Sequence, residues 1–329
     1  MERLKRTEKN TLTERVLQFG EGNFLRGFVD WMIDKLNKEN GGDYGVTIVQ
    51  PLAGGLVDKL NAQDGRYSLY LRGLLKGEKV EETRIVDCVT RGINPYTNTD
   101  EFFDCAKNPD LRFIVSNTTE AGIEYKPNQN PDDFNGLTFP GRLTLFMKKR
   151  FDEGLGGFIL LPCELIDKNG DNLKECILKY SEDWGYGGEF EKWIETENHF
   201  TNTLVDRIVT GYPRDNAKEM EQLYGYLDDM IDTAEIFHLW VIEGDKKLAE
   251  EIPFHKIGLN VLWTDDVTPY KKRKVRILNG AHTMTVLAAH LAGLETVKDA
   301  MDDELVFSFM KQGIFEEIIT TLDLPKNEL

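Results

Sequence analysis

The segment that most restricts this chain is a glycine turn set between two β-branched runs. Residues 14–20 (ERVLQFG) read as a short strand ending in glycine, and residues 45–51 (GVTIVQP) as a second strand closed by Pro51. Between them, residues 24–37 (FLRGFVDWMIDKLN) carry apolar side chains at Phe24, Phe28, Trp31, Met32 and Leu36. That recurrence predicts a helix with one buried face, ended by Gly41 and Gly42. Strand, turn, helix and strand make a βαβ unit, whose right-handed crossover requires the two strands to be parallel.

The alternation continues. Residues 67–75, 83–89, 111–117 and 157–164 read as strands, and residues 100–108, 142–151 and 171–185 as helices. This order predicts an α/β fold with a doubly wound sheet. Residues 236–244 and 258–266 are further strand candidates, extending that sheet or forming a small β-layer beside it. From Thr268 onward the chain reads as mainly helical, with Thr268 as N-cap and Pro269 in the first turn. A boundary near 266 therefore divides a dinucleotide-binding domain, residues 1–266, from a mainly helical region, residues 267–329.

The turn itself carries chemistry. Gly20-Glu21-Gly22-Asn23-Phe24-Leu25 supplies the first two glycines of a GxGxxG fingerprint. Gly20 permits a tight turn, Gly22 lets backbone approach a pyrophosphate, and the amides opening the helix face the anion. Leu25 holds the place of the third glycine, which implies looser or different helix–strand packing. Arg26 is positioned to add a charged contact to phosphate. Gln18 and Phe19 lead into the turn. At the end of the second strand, where an acid usually binds ribose hydroxyls, stands Gln50, which neither attracts nor repels a 2′-phosphate. These residues alone leave NAD and NADP both open.

A second constellation lies on the predicted helix at Lys274, Asn279 and His282. At about 100° per residue, Asn279 falls roughly 140° and His282 roughly 80° from Lys274, so all three can border one cleft. A partly desolvated lysine amine beside other cations can exchange a proton with an alcohol or ketone. Asn279 can donate to the oxygen that gains charge, and His282 can orient it. Lys271, Lys272, Arg273 and Arg276 surround the lysine with positive charge, much of it a solvated face.

That basic run matters because the 329-residue chain has a formal net charge of −17. Such a field disfavours nucleic acid and anionic membranes as partners, and an anionic substrate needs a local cationic pocket. The four cysteines, Cys88, Cys105, Cys163 and Cys176, form no CxxC pair and read as reduced thiols. The charged start MERLKRTEKN has no apolar core of a signal peptide, and no run is long enough to span a bilayer. The protein thus reads as soluble and cytoplasmic.

The Lys274-x4-Asn279-x2-His282 pattern resembles the catalytic signature of the polyol-specific long-chain dehydrogenases, the mannitol dehydrogenase family. Residues 18–31 (QFGEGNFLRGFVDW), 62–73, 116–125, 162–171, 202–215 and 277–283 are similar to further family segments, in family order. The resemblance covers nearly all of the chain and is strongest with the branch acting on hexuronates. It implies an extended Rossmann doubly wound domain followed by a helical domain that begins within residues 267–329, NAD as cofactor, no metal, and hydride transfer between NAD(H) and a sugar acid, with no obligatory protein partner. Lys274 would be the acid–base group, with Asn279 and His282 holding the reacting oxygen. Val205 and Asp206, in LVDR, match a position that lines the substrate site. Polyol enzymes place an oxyanion-binding asparagine where this chain has Leu165, leaving Asn169 or Glu164 to compensate. The family's helical domain runs past the position of Leu329, so a chain ending there would bind cofactor with little turnover. The competing readings are a fructuronate or polyol dehydrogenase, and a non-catalytic dinucleotide-binding module.

Overall fold

The computed structural model describes residues 1–75, 77–119 and 121–324. Six parallel strands form its central sheet: β1 (Glu14–Phe19), β2 (Gly45–Val49), β5 (Val89–Ile93), β6 (Phe113–Ser116), β7 (Ile159–Pro162) and β8 (His199–Phe200). Their spatial order is β5-β2-β1-β6-β7-β8. Counted within this sheet that is 3-2-1-4-5-6, the dinucleotide-binding order, with its reversal point between β1 and β6.

Both faces of this sheet are covered, which explains the unbroken apolar runs of its strands. On β1, Val16 joins one core while Leu17 and Phe19 join the other. Ile114 likewise faces away from Phe113 and Val115, and Leu160 away from Ile159 and Leu161, as a period of two requires. The Leu17 face is covered by α3 (Thr99–Cys105), α4 (Phe139–Asp152), α5 (Asn169–Asp183) and α6 (Gly188–Glu197), through Phe102, Phe146, Ile177 and Phe190.

The Val16 face is covered first by α1, built from Asn23–Leu25, a wide π-type turn at Arg26–Asp30, and Trp31–Asn40. Phe28, Met32 and Leu36 are its buried stripe. The helix ends at Gly41, whose φ of +63° is the left-handed conformation glycine tolerates best. A short helix, α2 (Val57–Ala62), follows β2.

Two small β-layers lie on the same face. Strands β3 (Tyr67–Leu75) and β4 (Glu78–Val86) pair antiparallel, and β10 (Asp232–Glu235) adds to β3 in parallel. The predicted strand at 83–89 is therefore two: β4 stops at Val86, and the chain re-enters the central sheet as β5 at Val89. Strand β9 (Asn202–Asp206) pairs with β11 (Leu239–Glu243), which also pairs with β12 (Val261–Thr264), and helix α7 (Ala217–Tyr224) lies between β9 and β10 in the chain. Of the two arrangements open to 236–244 and 258–266, a separate layer is the one formed.

The chain divides into two compact units, the first spanning Met1–Asp265 and the second starting at Asp266. The second is helical: α8 runs through Thr268–Arg273, a π-type stretch Lys274–Asn279, and Gly280–Leu291. Its cap is Val267 rather than Thr268, whose N–H instead donates to Asp266 Oδ1 at 2.8 Å. Helices α9 (Val297–Asp302) and α10 (Glu304–Gln312, then Gly313–Ile318 and Ile319–Thr321) follow. Within this unit α8, α9 and α10 enclose an apolar groove of about 710 Å³. No helix among the described residues is long and apolar enough to cross a membrane.

Candidate active site

The glycine turn sits at the reversal point of the sheet. Gly20 adopts a φ of +129°, and its N–H donates to Val49 O at 3.0 Å. A Cβ there would lie 3.2 Å from Leu25 Cδ1 and 3.3 Å from Asn117 O, so both backbone and space favour glycine. Gly22 differs: a Cβ on it would meet nothing within 4 Å. No side chain of the cap residue satisfies the first amides of α1. Open space above uncapped amides fits the pyrophosphate of a dinucleotide.

Around this turn, the predicted cofactor residues divide by what their side chains do. Gly22 and Asn23 are exposed and Phe24 half-buried. Phe19 packs between Phe102 and Phe139, with centroids 6.0 and 5.0 Å away, so only its backbone borders the crevice. Gln18 is buried and donates to Gly20 O at 3.0 Å, bracing the turn from beneath. Leu25 is a core residue tucked against Gly20.

Arg26 does not face the turn's mouth, and its expected phosphate contact is corrected. It is 1% exposed, and its guanidinium donates to Glu21 O (3.0 Å), Met230 O (2.7 Å) and Asn23 Oδ1 (2.7 Å). It also lies over the Tyr67 ring at 4.9 Å. A buried cation with these partners is a structural strut. A different close approach is made one residue beyond Arg26, toward the segment that pairs with β10. At Gly27 a Cβ would stand 2.9 Å from Val209 Cγ1.

Gln50 is corrected in the same way. It is 2% exposed; its Nε2 donates to Leu52 O (2.8 Å) and Ala53 O (3.1 Å), and its Oε1 accepts from Val57 N (3.4 Å). Both ends of the amide shape the loop after β2. The Glu21 carboxylate reaches the same loop, accepting from Leu56 N at 3.4 Å. Burial raises its pKa above the ordinary value, opposed by backbone donors and the charge of Arg26.

Beneath the turn lies a buried polar cluster that the sequence did not reveal. Asp30 Oδ2 accepts from Gln18 Nε2 (3.4 Å) and Tyr67 OH (3.2 Å), and Asp232 Oδ2 lies 3.9 Å from Arg26 Nη1. Burial pushes Asp30 up to about 7 and Asp232 up to about 6, although Arg26 opposes both shifts.

On β9, Val205 is buried, with its side chain in the apolar core. Asp206, at the strand's end, is half-buried and points to the other face, as adjacent strand residues must. Arg207 does not serve as its salt bridge: its guanidinium donates to Glu235 O and Gly27 O, both at 2.8 Å, and stacks over Trp31 at 4.0 Å. The compensation expected near Leu165 is also corrected. Asn169 Nδ2 donates to Pro162 O, Glu164 O and Thr203 O, while its Oδ1 accepts from Thr203 N at 2.8 Å. Glu164 is buried against Ser116 Oγ, Thr118 N and Thr118 Oγ1. Both join strand ends and present no spare donor.

In the second unit, the π-type stretch of α8 runs from Lys274 to Asn279. The Gly280 N–H reaches back to Val275 O, an i→i+5 bond. Such a turn brings position i+5 back over position i. Asn279 therefore returns over Lys274 instead of standing far round the helix, and His282 is carried to the same side. Lys274 is half-buried, while Asn279 and His282 are exposed. His282 Nδ1 lies 3.0 Å from Leu278 O; with its proton on Nδ1 the ring leaves Nε2 as an acceptor.

A Rossmann sheet with this turn defines a dinucleotide-binding protein of the dehydrogenase kind. Residues 14–256 match the mannitol dehydrogenase Rossmann domain and residues 266–329 the mannitol dehydrogenase C-terminal domain, so the chain belongs to the mannitol dehydrogenase family. It is 49% identical over 321 residues to altronate oxidoreductases of Enterobacter sp. (strain 638) and Shigella flexneri, covering 96% of this chain and 66% of each relative. The chain thus spans just under two thirds of the length of these curated relatives. Among solved structures it resembles a substrate-free D-sorbitol dehydrogenase, with a TM-score of 0.81 and 25% identity over 96% of this chain and 67% of that one. Pseudomonas fluorescens mannitol 2-dehydrogenase, solved with NAD and D-mannitol, shares the fold at a TM-score of 0.78 and 21% identity, over 96% of this chain and 66% of that one.

Proposed function

We propose that the protein is an NAD-dependent oxidoreductase that interconverts altronate and tagaturonate, the keto-hexuronate formed when altronate is oxidised. The observation that carries the chemistry is the wide turn of α8, which gathers Lys274, Asn279 and His282 on one side of a helix. The substrate follows from the names of the relatives at 49% identity.

In this reading residues 1–266 hold the dinucleotide over Gly20–Phe24, and residues 267–329 supply the catalytic helix. Bound NAD supplies the hydride acceptor. Lys274 takes the hydroxyl proton during oxidation and returns it during reduction. Asn279 donates to the substrate oxygen as charge grows there, and His282 Nε2 holds the hydroxyl in line. Asp206 contacts substrate hydroxyls. The protein works in the cytoplasm on a small sugar acid, without an obligatory protein partner.

Steady-state assays of the full-length protein test this reading. NADH oxidation is expected with tagaturonate, and much slower oxidation with fructuronate or fructose. Lys274→Ala is expected to lower kcat by about 10³-fold while NADH affinity stays within about twofold. Tight NADH binding without reduction of any keto-hexuronate would overturn the proposal in favour of a non-catalytic module.

A further inference from the structure

We infer that Glu21, and not the residue ending the second strand, reads the adenosine ribose of the dinucleotide: it accepts hydrogen bonds from the ribose hydroxyls and turns away cofactors bearing a 2′-phosphate. This deepens the NAD reading above and rests on it.

In open α/β sheets of this order, the acid that binds the ribose stands at the end of the second strand. Here that place holds Gln50, which is neutral and has both amide ends engaged by the loop it supports. The position is nevertheless charged, because the Glu21 side chain crosses to it from the first turn. A Cβ built on Gly55 would lie 2.3 Å from Glu21 Oε1 and 2.5 Å from Gln50 Oε1, so the carboxylate and the amide flank one point. The acid at this place is thus supplied by the first turn and not by the end of the second strand. Gly55, by lacking a side chain, leaves that place open.

The second observation concerns the other oxygen. Glu21 is 8% exposed, and its Oε2 is buried with no hydrogen-bond partner. A buried carboxylate oxygen without a donor is costly, and natural proteins rarely keep one without a use. A ribose hydroxyl would supply the missing donor. A 2′-phosphate, with nearly two negative charges, would meet a carboxylate in a poorly solvated place.

Equilibrium titrations of the full-length protein with NADH, NADPH and 2′-deoxy-NADH test the assignment. The wild-type protein is expected to bind NADH at least about tenfold more tightly than either of the others. Glu21→Gln, nearly isosteric, is expected to cut the preference over NADPH at least about fivefold and largely remove the preference over the deoxy analogue. Glu21→Asp keeps the charge on a shorter stem; it is expected still to exclude NADPH while losing discrimination of the deoxy analogue. If Glu21 merely props the loop through Leu56, every variant will weaken all three ligands equally, and that result overturns the assignment. NADPH preferred by the wild-type protein also overturns it. Failure of the wild-type protein to bind any of the three would instead remove the dinucleotide reading itself.

Discussion

Asp30 is a fully buried carboxylate with an oxygen, Oδ1, that lacks a hydrogen-bond partner. Desolvation raises its pKa to about 7, so the native state holds a proton that the unfolded chain releases near 4. The sign follows: the folded protein binds more protons than the unfolded one between about 4 and 7, and stability falls as pH rises through that window. Asp232, raised to about 6, acts in the same direction, whereas Glu14 and Glu251, held low by Arg91 and Arg112, act oppositely at lower pH. Asp30→Asn, a permanent mimic of the protonated acid, is expected to reduce the loss of stability between pH 5 and 8 by about 1–3 kcal/mol in urea titrations. An unchanged slope would mean that Asp30 is ionised throughout. Gly27→Ala is a steric counterpart. Its added methyl would press on Val209, and a loss of about 1–3 kcal/mol in thermal unfolding is expected. Neither residue's role was legible in the sequence, because Val209 and Asp232 join the helix from about 180 and 200 positions away.

Strands β1, β2, β6 and β7 were legible because each is buried on two faces, and the helices packed on them because each buries one stripe, whereas β5 was read only as the tail of β4 and β8, with His199 exposed, gave no apolar run. Strands β9 and β10 escaped notice for a physical reason: they bury the polar residues Asn202, Thr203, Asp232 and Thr233, which break the apolar pattern of a strand. Strand β3 was legible as a strand, but its parallel neighbour β10 comes more than 150 residues later. The turn at Gly20 and the Lys274 pattern were legible as site candidates, since spacing alone carries them. The wide turn of α8 was not, since nothing in KVRILN departs from an ordinary helical run. It also brings Asn279 nearer to Lys274 than the α-helical angles taken from the sequence, while keeping all three residues on one side as expected. A π-type turn equals one residue added to an α-helix. Deleting Val275, which is exposed, should therefore close the turn to α and leave the three side chains on one side. Turnover of that variant is expected within about tenfold of wild type. Inserting one alanine after Val275 should swing Asn279 and His282 about 100° away, with turnover falling at least about 100-fold. NADH titration checks that the dinucleotide unit is intact, and circular dichroism with thermal unfolding separates these effects from misfolding of the helical unit. Equal damage from both changes would show that the alignment is not what matters.

For the whole molecule, the dominant quantity is the net charge of −17. On the reading above, both ligands are anions, so the distant field of the protein opposes each encounter. The five cations between Lys271 and Arg276 act the other way, but only nearby. Range decides between them. At 10 mM salt the Debye length is about 30 Å and the incoming sugar acid senses the molecule as a whole; at 150 mM it is about 8 Å and the local cations remain. Salt should then screen the repulsion more than the attraction. At saturating NADH, kcat/KM for tagaturonate is expected to rise about two- to fivefold between 10 and 150 mM NaCl, while kcat, which follows the bound complex, stays nearly constant. An uncharged keto-sugar such as fructose, assayed in parallel, should show no such rise. A fall in kcat/KM over the same range would place control of the encounter with the basic run of α8. Neutralising Lys272, which is exposed, should then flatten the salt dependence.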